Sequence, residues 1–178
     1  MESVGRILLT VYFVIVLGAE AIGCAYFASV VNWELRPYFD SHGMKQESSD
    51  ASQAFGYLVA SAVISGLSVI LTLWKLCLGE RSEDDEDDDN KGDLLSSLLS
   101  VAAAITMVVF ACLTIQHSWG WWRHFASDGN GHLASASHGL AALLITIMVL
   151  STAGSIVKIM CWFGSCTSTS KDRGGDRF

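Results

Sequence analysis

Four long apolar windows constrain the fold of this chain more than any other feature of its sequence. They cover about residues 7–31, 54–78, 94–117 and 139–163. An α-helix needs about 20 residues to cross the roughly 30 Å hydrocarbon layer of a bilayer, so each window is long enough. Because lipid leaves backbone hydrogen-bonding groups unsatisfied, each window must form a helix to cross it. The sequence therefore predicts four transmembrane helices.

The overall composition agrees with a membrane protein. Hydrophobic residues make up 51% of the chain and charged residues 16%, whereas soluble domains carry about 25% charged residues. The single proline, Pro37, lies outside all four windows. We therefore expect the lipid bilayer as the first partner of the chain, and neither a nucleic acid nor a cofactor.

The first window also has features of a cleavable secretory signal. Arg6 precedes an apolar run, and Ala19 and Ala21 are small residues at positions typical of a cleavage site. The apolar character continues well past this point, through Val31. This continuation favours an uncleaved span over cleavage after Met1–Ala21.

The distribution of basic residues predicts that both termini lie in the cytoplasm. In that orientation eight of the 11 basic residues are cytoplasmic, as the positive-inside bias requires. Arg36, Lys45 and Arg123 remain outside, in exoplasmic loops at about residues 32–53 and 118–138. Such short loops favour an all-α fold, an antiparallel up-down-up-down four-helix bundle.

An acidic segment at residues 79–93 forms the predicted cytoplasmic loop. Its net charge of −7 equals that of the whole chain, and seven consecutive carboxylates run from Glu83 to Asp89. Mutual repulsion of these carboxylates favours an extended, solvated segment. Binding of a basic cytosolic partner to residues 83–89 is a second possible role for it. Residues 164–178 are predicted to form a flexible cytoplasmic tail.

Polar residues inside the predicted spans are the first candidates for a site. Glu20 lies near the middle of the first span, where an ionised carboxylate is costly, so it must be neutral, paired or turned toward a polar interior. Four hydroxyl residues form one helical stripe on the second span: Ser61, Ser65, Ser68 and Thr72. We expect a structural hydrogen bond between Glu20 and this stripe, with binding of a proton or cation and recognition of a lipid headgroup as alternatives.

Aromatic residues cluster at the predicted exoplasmic boundary. Trp119, Trp121 and Trp122 stand within four residues of one another, next to Arg123, and Trp33 follows the first span at the same level. Indole rings favour the interface between lipid and water, so an aromatic belt with Arg123 reaching for phosphates is the first interpretation. Adhesive contact with another surface is the second.

All five histidines also fall on or beside the exoplasmic side. Imidazole titrates close to physiological pH, so four of them are candidates for a pH-responsive face: His117, His124, His132 and His138. No tight H-x3-H spacing occurs, and we therefore assign no metal site.

The cysteines differ in their predicted depth. Cys24 and Cys112 fall within spans, whereas Cys77, Cys161 and Cys166 lie at or just beyond the cytoplasmic boundary. Juxtamembrane thiols at that level are candidates for S-palmitoylation.

Four spans, cytosolic termini and short exoplasmic loops in 178 residues resemble the MARVEL-type tetraspan proteins. The resemblance covers the four-span core and concerns architecture alone; it implies a role in membrane apposition, junctions or vesicle trafficking. The stretch "SWGWW" is similar to the tryptophan motif of claudins, but the cysteine pair that should follow is missing and the loop is a different one. Tetraspanins are disfavoured because the chain has neither a large second loop nor Cys-Cys-Gly.

These features favour a protein without enzymatic activity, since no nucleophile and base pair, metal triad or phosphate-binding loop occurs. The first hypothesis is an organiser of junctions or sorting domains, with the plasma membrane as its first expected location and endomembrane vesicles as the second. Its partners would be copies of itself or other multi-span proteins. The alternatives are an accessory subunit of a channel, receptor or transporter, with the polar seam of the second span facing the partner, and a small proton or ion conduit centred on Glu20.

Overall fold

The computed structural model describes the backbone of residues 2–78 and 86–172, and the side chains chiefly of residues 10–74 and 101–154. The described backbone is helical apart from three short turns at 42–44, 119–120 and 128–130. Its elements are α1 (Glu2–Val30), a π-helical segment (Val31–Leu35), α2 (Arg36–Ser41), α3 (Lys45–Leu78), α4 (Glu86–Ser118), α5 (Trp121–Ser127) and α6 (Gly131–Asp172).

The four long helices α1, α3, α4 and α6 pack as a bundle. Each of α3, α4 and α6 lies against the long helix before it in the chain, and α6 closes the ring by contacting α1. All four are long and apolar enough to cross a membrane. The predicted fold class, an all-α four-helix bundle, is confirmed.

The core consists of side chains that recur every three or four residues on each helix. On α1 and its continuation these are Glu20, Cys24, Ala28, Val31, Leu35 and Phe39; on α3, Ala51, Ala54, Leu58, Ser61 and Ser65; on α4, Met107, Ala111 and Thr114; on α6, Leu133, Ser137, Leu140, Leu144 and Ile147. This spacing keeps one face of each helix toward the bundle axis.

The helices extend further than the apolar windows predicted. Residues 32–53, predicted to be a loop, are helical except for the turn at His42–Met44, and α5 occupies part of the second predicted loop. Tertiary packing explains the extension, since Leu35, Phe39 and Ala51 are buried beyond the ends of the windows. We call the end of the bundle that contains α2 and α5 the capped end, and the opposite end the open end.

A π-helical segment adjusts the register where α1 leaves the predicted span. It adds one residue to the turn, and two adjacent residues, Val30 and Val31, are consequently both buried. The burial pattern then resumes at Leu35 and Phe39. The segment therefore lets one continuous helix keep the same face toward the core.

The acidic segment is partly helical, contrary to the prediction of an extended loop. Helix α4 begins at Glu86, so residues 86–89 of the carboxylate run belong to its first turn. Glu83 to Asp85 and residues 173–178 of the predicted tail lie outside the described residues.

Glycines allow α1 and α6 to approach closely. A Cβ atom at Gly139 would lie 3.0 Å from the ring of Phe27, and one at Gly154 would lie 3.0 Å from the ring of Phe13. Since residue numbers rise along α1 as they fall along α6, these contacts also show that the two helices are antiparallel. The phenylalanine rings therefore fill the spaces that the glycines leave.

Candidate functional site

An aromatic plug closes the capped end of the bundle. It consists of Phe39 from α2 and of Trp121 and Phe125 from α5, all of them buried. The ring centroid of Phe39 lies 5.6 Å from that of Trp121 and 5.4 Å from that of Phe125. Offset and tilted rings at these distances attract one another in addition to burying apolar area. The plug therefore fixes both short helices to the bundle.

Gly120 positions the α5 half of the plug. Its φ of 132° belongs to the region that favours glycine, and it turns the chain between the end of α4 and Trp121. Neither Phe39 nor Phe125 was expected from the sequence to be a site residue. The signal was present, because Leu35 and Phe39 continue the spacing of buried residues in α1 past the end of the apolar window.

The predicted tryptophan cluster divides between the core and the surface. Trp121 is 3% exposed, whereas Trp119 and Trp33 are each 76% exposed. The sequence predicts that the rings of Trp119, Trp121 and Trp122 all lie at the lipid boundary. Trp121 lies in the plug instead, because α5 turns its ring inward. The outward rings, Trp33, Trp119 and the half-exposed Trp122, remain available for contact with lipid or with another protein.

Arg123 lies beside this outward surface. Its guanidinium carbon is 5.5 Å from the ring centroid of Trp122, within the range of a cation-π interaction. The ring of Trp122 also lies 5.5 Å from the ring of His138. The contact with Trp122 places the Arg123 side chain near the predicted level of the lipid headgroups.

Polar contacts join the helices around the plug. His117 Nδ1 lies 2.9 Å from Asp50 Oδ1 and links α4 to α3, and the Tyr38 hydroxyl donates to the Asp128 carboxylate. His132 Nδ1 lies 3.5 Å from Glu34 Oε2. These contacts connect segments that are distant in sequence, so they help to fix the shape of the capped end.

All of the predicted histidines lie at the capped end, but the structure does not gather them. His117 pairs with Asp50, His132 with Glu34, and His138 with the ring of Trp122, while His124 is exposed on α5. The pH-responsive face stays a prediction. Among the described side chains, no three metal-ligating groups come together.

A groove runs along the outer surface between α1 and α3. It has a volume of about 470 Å³, and its floor is formed by the alanines of α1 at positions 21, 25 and 28, with Ala62 from α3. Trp33 and Phe55 border it toward the capped end, where Asn32 supplies a polar group. Small side chains of this kind let a second helix approach closely in lipid.

Glu20 is the most deeply buried acid of the described chain. Its side chain is 4% exposed, and Oε2 has no hydrogen-bond partner among the described residues. The expected bond to the hydroxyl stripe is not formed, since Ser68 and Thr72 donate to carbonyls one turn back in α3 at 2.8 and 2.7 Å. Hydroxyls in helices are commonly satisfied in this way and then need no other partner.

The rest of the stripe faces the bundle core. Ser65 is fully buried and its hydroxyl donates to Met107 Sδ at 3.7 Å, a weak acceptor. Ser61 is also buried. The polar residues that were predicted to face a larger partner therefore face the bundle core at Ser61 and Ser65.

Two of the five cysteines are described in detail, and both are free thiols. Cys24 is buried one turn from Glu20, and Cys112 is exposed on α4. The side chains of the predicted lipidation sites Cys77, Cys161 and Cys166 lie outside the described ones. Their modification stays a prediction.

Comparison with known proteins adds no family to this description. No protein-family model, no curated protein and no solved structure matches the chain.

Proposed function

We propose that this four-span membrane protein has no enzymatic activity and organises membrane or cell-cell contacts, as a scaffold of junctions or sorting domains. The observation that carries the proposal is the groove between α1 and α3. It lies on the outer surface of the bundle, and its alanine floor suits a helix of a second copy. Lateral association through this groove would build assemblies in the membrane plane.

The capped end supports the second half of the proposal. The plug and the polar contacts around it hold Trp33 and Trp119 on an ordered surface, each with 76% of its area exposed. Large exposed rings on an ordered surface are typical of contact residues. The four-span layout, which resembles the MARVEL-type class in architecture, is consistent with such a role at junctions or in vesicles.

An accessory subunit of a channel, receptor or transporter is the alternative. That hypothesis depended on a polar seam turned toward a larger partner, but Ser61 and Ser65 face the core. The groove is the remaining surface for such a partner. Co-purification of a larger multi-span protein, in place of further copies of this chain, would favour the alternative.

Self-association in lipid tests the proposal. Ala25 is exposed and lines the groove, so Ala25→Leu fills it without entering the core. We expect this change to weaken self-association about tenfold, which corresponds to about 1.4 kcal/mol. Energy transfer between labelled copies in vesicles, at several ratios of protein to lipid, measures the effect.

The matched control is Ala142→Leu, which adds the same side chain at an exposed position of α6 away from the groove. It should leave energy transfer unchanged. A wild-type chain that stays monomeric at high protein density, or equal loss with both substitutions, would count against the groove as the association surface.

A further inference from the structure

The core ends in one layer toward the open end of the bundle. Its members are the last buried residues of their helices in that direction: Glu20 on α1, Ser65 on α3, Met107 on α4 and Ile147 on α6. The contact between Ser65 and Met107 shows that two of these helices meet at this depth. Glu20 therefore lies in the layer where the buried core of the described residues ends, and it is the acidic residue of that layer.

Burial differs on the two sides of this layer. Toward the capped end, the core continues through closely packed residues to the aromatic plug, whose members Phe39 and Phe125 are fully buried. Toward the open end, none of the residues whose burial the structure describes is buried on any of the four long helices. Water therefore has a less obstructed approach to Glu20 from the open end.

Hydroxyl groups line the route from the open end to Glu20. Ser68 and Thr72 continue the stripe of α3 from Ser65 toward the open end, and both are partly buried. Each hydroxyl donates to its own helix, which leaves its oxygen free to accept a hydrogen bond from water. The stripe thus supplies acceptors between the end of the helix and the Glu20 layer.

The surroundings of Glu20 contain no counter-charge among the described side chains. Its neighbour on the same face of α1 is the thiol of Cys24, and the facing helices contribute Ser65, Met107 and Ile147 to the layer. An ionised carboxylate in such a place has lost its hydration without gaining a partner and is therefore strongly disfavoured. A neutral carboxyl group would avoid this cost, and Oε2 has no hydrogen-bond partner among the described residues.

We propose that Glu20 is a proton-binding site of the bundle core and that its proton exchanges with the open end only. The site is distinct from a conduit, because the plug closes the route to the capped end. With the positive-inside orientation, the proton would come from the cytoplasm. Loss of the proton would leave a charge between α1 and its neighbours and draw water along the stripe.

Reaction with N,N′-dicyclohexylcarbodiimide tests the proposal on the full chain in lipid. The O–H of a protonated carboxyl adds across one C=N bond of this apolar reagent, and the acyl group then moves from oxygen to nitrogen to give a stable N-acylurea. We expect peptide mass analysis to find the adduct at Glu20 at neutral pH. Glu20→Gln should abolish it, whereas Glu34→Gln, which removes the more exposed acid of the same continuous helix, should retain it.

The direction of access is tested in sealed vesicles of one orientation, sorted with a C-terminal affinity tag. Raising the pH at the open end should slow labelling, by about tenfold for each pH unit once the carboxyl deprotonates. The same change at the capped end should have no effect. Ala25→Leu should not alter labelling, so the result is independent of the proposed self-association.

Three results would overturn the inference. The first is a folded wild-type chain that gains no adduct at Glu20 at neutral pH. The second is labelling that stays constant when the pH at the open end is raised to strongly alkaline values. The third is an equal response to both sides, which would indicate a conduit instead of a site with one-sided access.

Discussion

Trp121 and Trp122 are adjacent in sequence but differ in environment, the first buried in the plug and the second half-exposed. Neighbouring residues of a helix point about 100° apart, so two adjacent rings cannot share one surface. The direction of α5 decides which ring turns inward. At the scale of single residues, the aromatic cluster therefore divides into a buried ring, Trp121, and two outward rings, Trp119 and Trp122, which are the candidates for contact.

Truncation of the plug is predicted to destabilise the fold. Phe125 is fully buried and its ring contacts those of Phe39 and Tyr38. Removing such a ring leaves a cavity, so Phe125→Ala should lower the free energy of unfolding by about 3 kcal/mol. Unfolding of the purified chain in mixed micelles, followed by circular dichroism, measures the loss.

The control is Trp119→Ala, which removes a larger ring that is 76% exposed. This change should alter the free energy of unfolding by no more than about 0.5 kcal/mol. If both variants unfold at the same denaturant concentration as the wild type, the plug does not stabilise the bundle.

At the scale of whole helices, the contact between α1 and α6 shows how the side chains of one helix fit the surface of another. Rings from α1 lie over glycines of α6, Phe27 over Gly139 and Phe13 over Gly154, so the two helices fit along an antiparallel seam. In lipid, close packing of this kind stabilises helix association in place of the hydrophobic effect. The seam also keeps α1, and with it Glu20, at a fixed depth.

A pair of glycine substitutions tests the seam. Gly139→Ala places a methyl group 3.0 Å from the ring of Phe27, whereas Gly66→Ala meets no atom within 4 Å. The first should lower the free energy of unfolding by about 1 kcal/mol because the ring must shift. The second should raise it by a few tenths to about 1 kcal/mol, since alanine restricts the unfolded chain.

Both variants are compared with the wild type by the same unfolding measurement in mixed micelles. Equal stabilisation by the two alanines would show that α1 and α6 do not approach as closely as the seam requires.

At the scale of the whole molecule, the helices are longer than a bilayer is thick. The candidate membrane-spanning helix Thr10–Ser41 has 32 residues and would measure about 48 Å as an α-helix, against roughly 30 Å of hydrocarbon. Part of the bundle must therefore project into water. The capped end, with its ion pairs and short helices, is the part built for that environment.

Glycosylation mapping tests which side the capped end occupies. The chain contains no acceptor sequence of the form Asn-x-Ser/Thr, but Gln46→Asn and His132→Ser each create one near a turn of the capped end, and Gly92→Ser creates one in the predicted cytoplasmic loop. Synthesis in the presence of microsomes should yield glycosylated chains for the first two changes and an unmodified chain for the third. The opposite pattern would reverse the predicted topology.

The sequence by itself determined the class of fold. Four apolar windows, each longer than the bilayer requires, leave helices as the only structure that satisfies the backbone in lipid. The short loops expected at about residues 32–53 and 118–138 favoured antiparallel neighbours. The sequence also singled out Glu20, because an acid in an apolar window is rare enough to be noticed without a structure.

Only the tertiary structure decided where these residues point and what they contact. The hydroxyl stripe looked like the partner of Glu20 because it was the nearest polar pattern, but Ser68 and Thr72 donate within α3 and Ser65 donates to Met107. The plug was missed because Phe39 and Phe125 are 86 positions apart and meet only when α2 and α5 fold over the same end of the bundle. The periodicity of the sequence determines which face of each helix is apolar. The partner of each side chain depends on how the four helices are rotated against one another, and only their packing decides that.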